Sequence, residues 1–171
     1  MTMALDTTFA SLEQEMGRLC DALGSLRMTV IEDRPLEEGT LLVDSLGDLA
    51  EELLATAREA LSWAREAAAP AEEGEALGAA LFACQESYQR IQRRFATELT
   101  SYERVAEIVR LGRARGGEWK AWAGSVRAGA EACRPPLDDA GEALFACWRE
   151  LSSPPPRAHH RFPARCSQQG E

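Results

Sequence analysis

Leu5-Asp-Thr-Thr-Phe9-Ala-Ser-Leu12-Glu-Gln-Glu-Met16-Gly-Arg-Leu19-Cys-Asp-Ala-Leu23-Gly-Ser-Leu26-Arg-Met-Thr-Val30 is the stretch that decides the fold. Its large apolar residues alternate steps of four and three without interruption, and every d position of the resulting heptad is leucine. Apolar residues that repeat every 3.5 positions form a stripe along one side of an α-helix. That stripe leaves water only when a facing helix covers it. The chain therefore opens with a helix, from about Met3 or Thr8 to Ile31, built to meet another helix. Pro35 disfavours helical geometry in the residue before it and closes the element. Gly17 and Gly24 fall at b positions of the seam, each as a tolerated exposed glycine or as part of a flat strip for a close neighbour.

The following residues supply matching stripes. A second helix, from about Thr40 to Ala68, carries Leu42, Leu46, Leu49, Leu53, Ala57, Ala60 and Ala64 on one side, widened by Leu54 and Leu61. Its taper from leucine to alanine lets a neighbour lie closer at the far end, or makes room for a large side chain such as Trp63. Leu77, Leu81, Cys84, Tyr88, Ile91, Phe95, Leu99, Tyr102, Val105 or Ala106, and Val109 continue the pattern. They predict one long third helix from about Ala71 to Ala114, roughly 65 Å at 1.5 Å per residue, whose last turns overhang the others.

Gly116-Gly117 breaks that spine, and two short helices are expected to cover the overhang. One carries Trp119, Trp122, Val126, Ala130 and Cys133. The other carries Leu137, Leu144, Trp148 and Leu151, with Arg134-Pro135-Pro136 turning the chain between them. The segments Gly78 to Cys84 and Gly141 to Cys147 agree at six of seven positions, which locates two core segments without a recurring period that would mark repeat architecture. The sequence thus predicts an all-α protein: an elongated antiparallel bundle of three long helices plus a short C-terminal helical hairpin over residues 1–153. A disordered basic tail, 154–171, has Phe162 as its only large apolar residue.

Composition agrees, being rich in Ala, Leu, Glu and Arg and poor in Ile, Val, Thr and Tyr. The longest largely apolar uncharged stretch, Ala76 to Cys84, is about half of what a bilayer span requires. The start of the chain lacks the basic and apolar regions of a signal peptide, so a cytoplasmic location is expected. Five cysteines at wide, irregular spacing argue for reduced thiols rather than a disulfide framework or a zinc cage. The formal charge of −9 is uneven: 18 acids against 5 bases over residues 1–88, 4 against 9 over 89–127, and 6 against 5 beyond. Helices that pair by charge as well as by apolar contact are the expected consequence.

Catalysis finds little support. His159 and His160, the only histidines, lie side by side in the tail, no triad is visible, and no Glu-x-x-His falls on a helix for a bundle-type di-metal site. Gly112, Gly116 and Gly117 match neither phosphate-loop spacing. Cys84, Cys133 and Cys147 read as small hydrophobes, whereas Cys166 with the tail histidines makes at most a weak metal cluster, so no cofactor or metal is expected. The enzymatic rival is a site of bundle-facing carboxylates such as Glu98, beside the Phe95–Leu99 stutter in the apolar register.

Arg90, Arg93, Arg94, Arg110, Arg113, Arg115 and Lys120 form a basic run along and just past the spine helix. Clustered cations suit phosphate, but no docking motif for nucleic acid accompanies them and the overall charge repels it. Trp119 and Trp122 are either core or, if exposed, interface anchors. These nine residues are the candidate interface of a non-catalytic protein–protein interaction module, an adaptor, assembly or regulatory subunit acting through a helix face or its tail. Its expected partner is another protein, with a homo-oligomer left open and nucleic acid disfavoured. The alternatives are a membrane-active domain that inserts its first helix, whose polar face bears Glu13, Glu15 and Asp21, and a nucleic-acid-binding bundle using the basic spine.

Overall fold

Phe9, Leu12, Met16, Leu19, Leu23, Leu26 and Val30, the seam from its second residue onward, are each at most 1% exposed. A computed structural model describes residues 3–36, 40–69 and 74–153, with side chains from Thr7 and, in the third segment, from Glu75, so the side chain of Leu5 and the whole of the tail at 154–171 lie outside the described residues. Helix α1 spans Met3–Arg27 and runs on through a π-helical turn, Met28–Glu32, closed where the Asp33 N–H donates to the Met28 carbonyl at 3.0 Å. Complete burial of each large seam side chain contributes roughly 1.5–3 kcal/mol.

The remaining elements are α2 (Leu41–Ala68), α3 (Gly74–Arg94) with a π-helical turn at Phe95–Leu99, α4 (Tyr102–Ala114), α5 (Gly117–Ala132) and α6 (Arg134–Ser152). Among the described residues there is no strand. Helix α1 packs on α2 and on α6, and α3 packs on α2 and more lightly on α6, so four helices close a ring around one core. Side-chain pairs give their directions. Arg27 meets Glu51 at 3.1 Å and Arg65 meets Glu13 at 3.4 Å, which sets α1 and α2 antiparallel. Glu59 to Arg90 at 2.9 Å and Glu52 to Arg94 at 2.8 Å do the same for α2 and α3. The Cys147 thiol reaches the Thr8 carbonyl at 3.7 Å while Arg18 meets Asp139 at 3.4 Å, so α6 descends beside α1. The acidic helices thus pair by charge with later bases, although each exposed pair contributes only about 0–1 kcal/mol.

The alanine end of α2 is as dry as its leucine end, with Ala57, Ala60, Ala64 and Ala67 buried and Trp63 packed partly against the core. Gly17 and Gly24 have open space where a Cβ would stand, so they are tolerated glycines and not a strip for a close backbone. The two seven-residue look-alike segments lie on α3 and α6. In both, leucine and cysteine (Leu81 and Cys84, Leu144 and Cys147) face the core and phenylalanine (Phe82, Phe145) faces out.

Two expectations are corrected. The single spine helix to Ala114 is broken at Thr100 and Ser101. The Phe95 carbonyl accepts both the Thr100 N–H at 3.0 Å and its hydroxyl at 3.1 Å, and Ser101 leaves helical geometry at φ −59°, ψ 137°. From there the Ser101 hydroxyl accepts the Arg104 N–H at 3.3 Å, a serine cap that starts α4. The C-terminal hairpin is also misplaced. Pro135 and Pro136 occupy the first turn of α6, where a missing N–H costs nothing, so they start a 19-residue helix that joins the bundle. The short hairpin is α4–α5, inserted between the third and fourth helices of the ring.

That hairpin is tight. Gly112 is buried where α4 crosses α5, and a Cβ there would stand 2.7 Å from both the Ala123 Cβ and the Trp119 carbonyl. Gly116 turns the chain at φ 98°, ψ −172°, a conformation essentially reserved for glycine. Trp119 and Trp122 meet edge to face at 5.3 Å, and the Trp122 indole N–H donates to the Thr29 carbonyl at 2.9 Å. Thr29 lies in the last turn of the first helix, where carbonyls have no partner within the helix, and α5 supplies one.

Candidate functional site

The break at Thr100–Ser101 divides the basic run into two groups with different surroundings. Arg90 and Arg94 remain on α3 and turn toward α2. Arg90 pairs with Glu59 at 2.9 Å, and Arg94 bridges Glu52 at 2.8 Å and Glu98. Arg93 is exposed on the outer side of the same helix. Arg110 and Arg113 lie on α4, where Arg110 is held in a two-pronged grip by Glu107 at 2.5 and 2.9 Å. The shared hydrogen bonds raise the Arg110 pKa and lower that of Glu107. Arg115 stacks over the Trp119 ring at 4.8 Å, and Lys120 is exposed on α5. Trp119 and Trp122, 1% and 3% exposed, are core of the hairpin and offer no indole to a partner.

What the break brings together is a groove on the hairpin. Helix α4 buries Ile108 and Gly112 but leaves Tyr102 88% exposed, Ala106 exposed, and Val105 and Val109 half-buried. Two hollows of about 310 and 330 Å³ share Tyr102, Val105 and Arg127 and so form one depression. Its rim carries four arginines, Arg110 and Arg113 from α4, Arg127 from α5 and Arg134 from the start of α6. Arg127 pairs with Glu131 at 3.3 Å and Arg110 with Glu107, whereas Arg113 and Arg134 have no ion pair among the described residues. Tyr102, Val105, Ala106 and Val109 belong to the predicted apolar stripe. Arg127 and Arg134 lie outside the basic run, because their sequence distance hides that α5 packs back on α4 and that the first residue of α6 reaches the same hollow.

Elsewhere the chemistry is quiet. The Glu98 carboxylate is tied to Arg94, and its backbone carbonyl accepts from Arg104 Nε at 3.3 Å. It sits at the rim of a hollow of about 430 Å³ and does not face the bundle interior. A hollow of about 810 Å³ is an open trough between α3 and α6 edged by Asp138, Glu142, Phe145 and Arg149. The Tyr88 hydroxyl beneath it already donates to the Leu137 carbonyl at 2.9 Å. Burial pushes the thiols of Cys84, Cys133 and Cys147 up to about 12, so they stay protonated at neutral pH. Burial also raises the half-buried Cys20, with Asp21 adding to the effect. Among the described residues no group of three or more His, Cys, Asp and Glu is placed to hold a metal ion, and no helix is long and apolar enough to cross a membrane. His159, His160 and Cys166 lie outside the described residues.

Comparison of the chain with known protein families, with curated protein sequences and with solved structures returns no match.

Proposed function

We propose that this chain is a non-catalytic protein–protein interaction module, a four-helix platform that presents the α4–α5 hairpin to another protein in the cytoplasm. The observation that carries the reading is the groove on α4, where exposed Tyr102 and half-buried Val105 and Val109 form an apolar floor inside a ring of arginines. Apolar floors with polar rims are where side chains of a partner gain most from leaving water. Burial of the α1 seam weighs against a membrane-active first helix, since its apolar side is already taken by α2 and α6. Pairing of Arg90, Arg94 and Arg110 with carboxylates weighs against phosphate binding along the spine. The four cysteines among the described residues, Cys20, Cys84, Cys133 and Cys147, are free thiols, which favours a reducing compartment.

Site-specific photo-crosslinking tests the reading. A photoreactive residue replacing exposed Tyr102 should yield a discrete adduct in the native cell, absent when the same probe replaces Ser62 on the outer side of α2 and lost with Val109→Asp. An adduct that forms equally at both positions, or none at position 102, would reject it.

A further inference from the structure

We infer that the occupant of the α4–α5 groove is an acidic amphipathic helix of a partner protein, an inference that rests on the binding role proposed above. The floor and the rim each narrow the choice. Two joined hollows that share Tyr102 and Val105 give the groove two places for apolar anchors, and a helix offers such anchors in a row along one face. The rim is cationic, and its two arginines without an ion pair among the described residues, Arg113 and Arg134, are available to carboxylates. Their flanking partners, Arg110 and Arg127, are already neutralised by Glu107 and Glu131, so the net demand is for a few negative charges beside an apolar stripe.

Other occupants fit less well. The segment 154–171 of this chain carries Arg157, Arg161 and Arg165, the wrong sign for the rim. A second copy offers acidic α1 and α2, but their apolar stripes are spent inside their own bundle. A polyphosphate chain would leave the valine and tyrosine floor uncovered, and two carboxylates already stand among the four arginines.

The test uses the full chain and a labelled, designed 18-residue helical peptide with leucines on one side and glutamates flanking them. Its controls are the same peptide with lysine for glutamate and an 18-nucleotide single-stranded RNA, all read by fluorescence anisotropy. The glutamate peptide should bind in preference to both controls. Val109→Asp should abolish that binding. Arg113→Glu with Arg134→Glu should weaken it by roughly tenfold, as should raising the salt, whereas Arg93→Glu on the far side of the break should leave it unchanged. Circular dichroism confirms that these surface variants remain folded. The inference falls if the lysine peptide or the RNA binds as well as the glutamate peptide, or if the groove variants have no effect. It falls likewise if no peptide binds at millimolar concentration, or if the chain self-associates through the same residues. A crosslink at position 102 that persists alongside any of these results would leave the binding role standing and remove only the acidic partner.

Discussion

Alkaline pH should unfold this protein through its buried thiols. Cys84, Cys133 and Cys147 are each 0% exposed, and burial raises each from 9.0 to about 12, with the neighbouring Cys147 adding to the effect at Cys84. Cys147 also donates its S–H to the Thr8 carbonyl, a bond available only to the protonated form. Because the folded pKa lies above the unfolded one, this contribution to stability is complete below pH 9 and declines as pH rises from 9 toward 12, where the unfolded chain ionises and the folded chain does not. At pH 10 a thiol of ordinary pKa 9.0 gains about 1.4 kcal/mol by ionising in the unfolded state, so three together cost about 4 kcal/mol out of the roughly 5–15 typical of a domain. Lys120 is the only lysine and arginine stays charged throughout this range, while the half-buried Cys20, also raised by burial, adds loss of the same sign. Tyr88, raised by burial, adds loss of the same sign only above its ordinary value of 10.0. Urea unfolding followed by circular dichroism at pH 7, 8, 9 and 10, with reductant present, should show a midpoint steady to about pH 8.5 and falling steeply beyond. Replacing all three cysteines by alanine should lower stability at pH 7 but flatten the alkaline fall. A midpoint that holds to pH 10, or a fall of equal size in the alanine variant, would refute the reasoning.

Gly112→Val should destabilise the chain by about 1–3 kcal/mol, because its Cβ would stand 2.7 Å from Ala123 and from the Trp119 carbonyl; thermal melts measure the loss. Gly17→Ala and Gly24→Ala should each stabilise by up to about 1 kcal/mol, since both positions are helical with open space around the added methyl; a neutral or destabilising result would show a neighbour there. Trp122→Phe removes the N–H that satisfies the Thr29 carbonyl and should cost about 0.5–1.5 kcal/mol; hydrogen exchange should quicken in α5 while α2 and α3 keep their protection.

Periodicity made most of the bundle legible and concealed its one discontinuity for the same reason. Each seam residue from Phe9 to Val30 is buried because a 3.5-residue repeat states directly which side of a helix needs cover, and α2 and α3 state it again. Ile91, Phe95, Leu99 and Tyr102 keep helical steps of four, four and three straight across the break, so an apolar pattern cannot register that the chain changes direction there. Cap chemistry can: Thr100-Ser101 followed by Glu103 is a helix start, and Pro135-Pro136 is another when proline is placed in a first turn, where it is tolerated. The groove follows from that change of direction. Within the bundle each helix of the ring has two neighbours, and an apolar stripe is covered from both sides. Helix α4 has left the ring and finds its one extensive contact in α5, which takes the side bearing Ile108 and Gly112. Tyr102, Val105, Ala106 and Val109, written in the sequence as core, are left exposed or half-buried because among the described residues no second helix packs extensively on that side. The sequence specifies the stripe, but only the packing of α5 decides which edge of it stays open, and with Arg127 and Arg134 brought alongside that edge becomes a surface of defined charge.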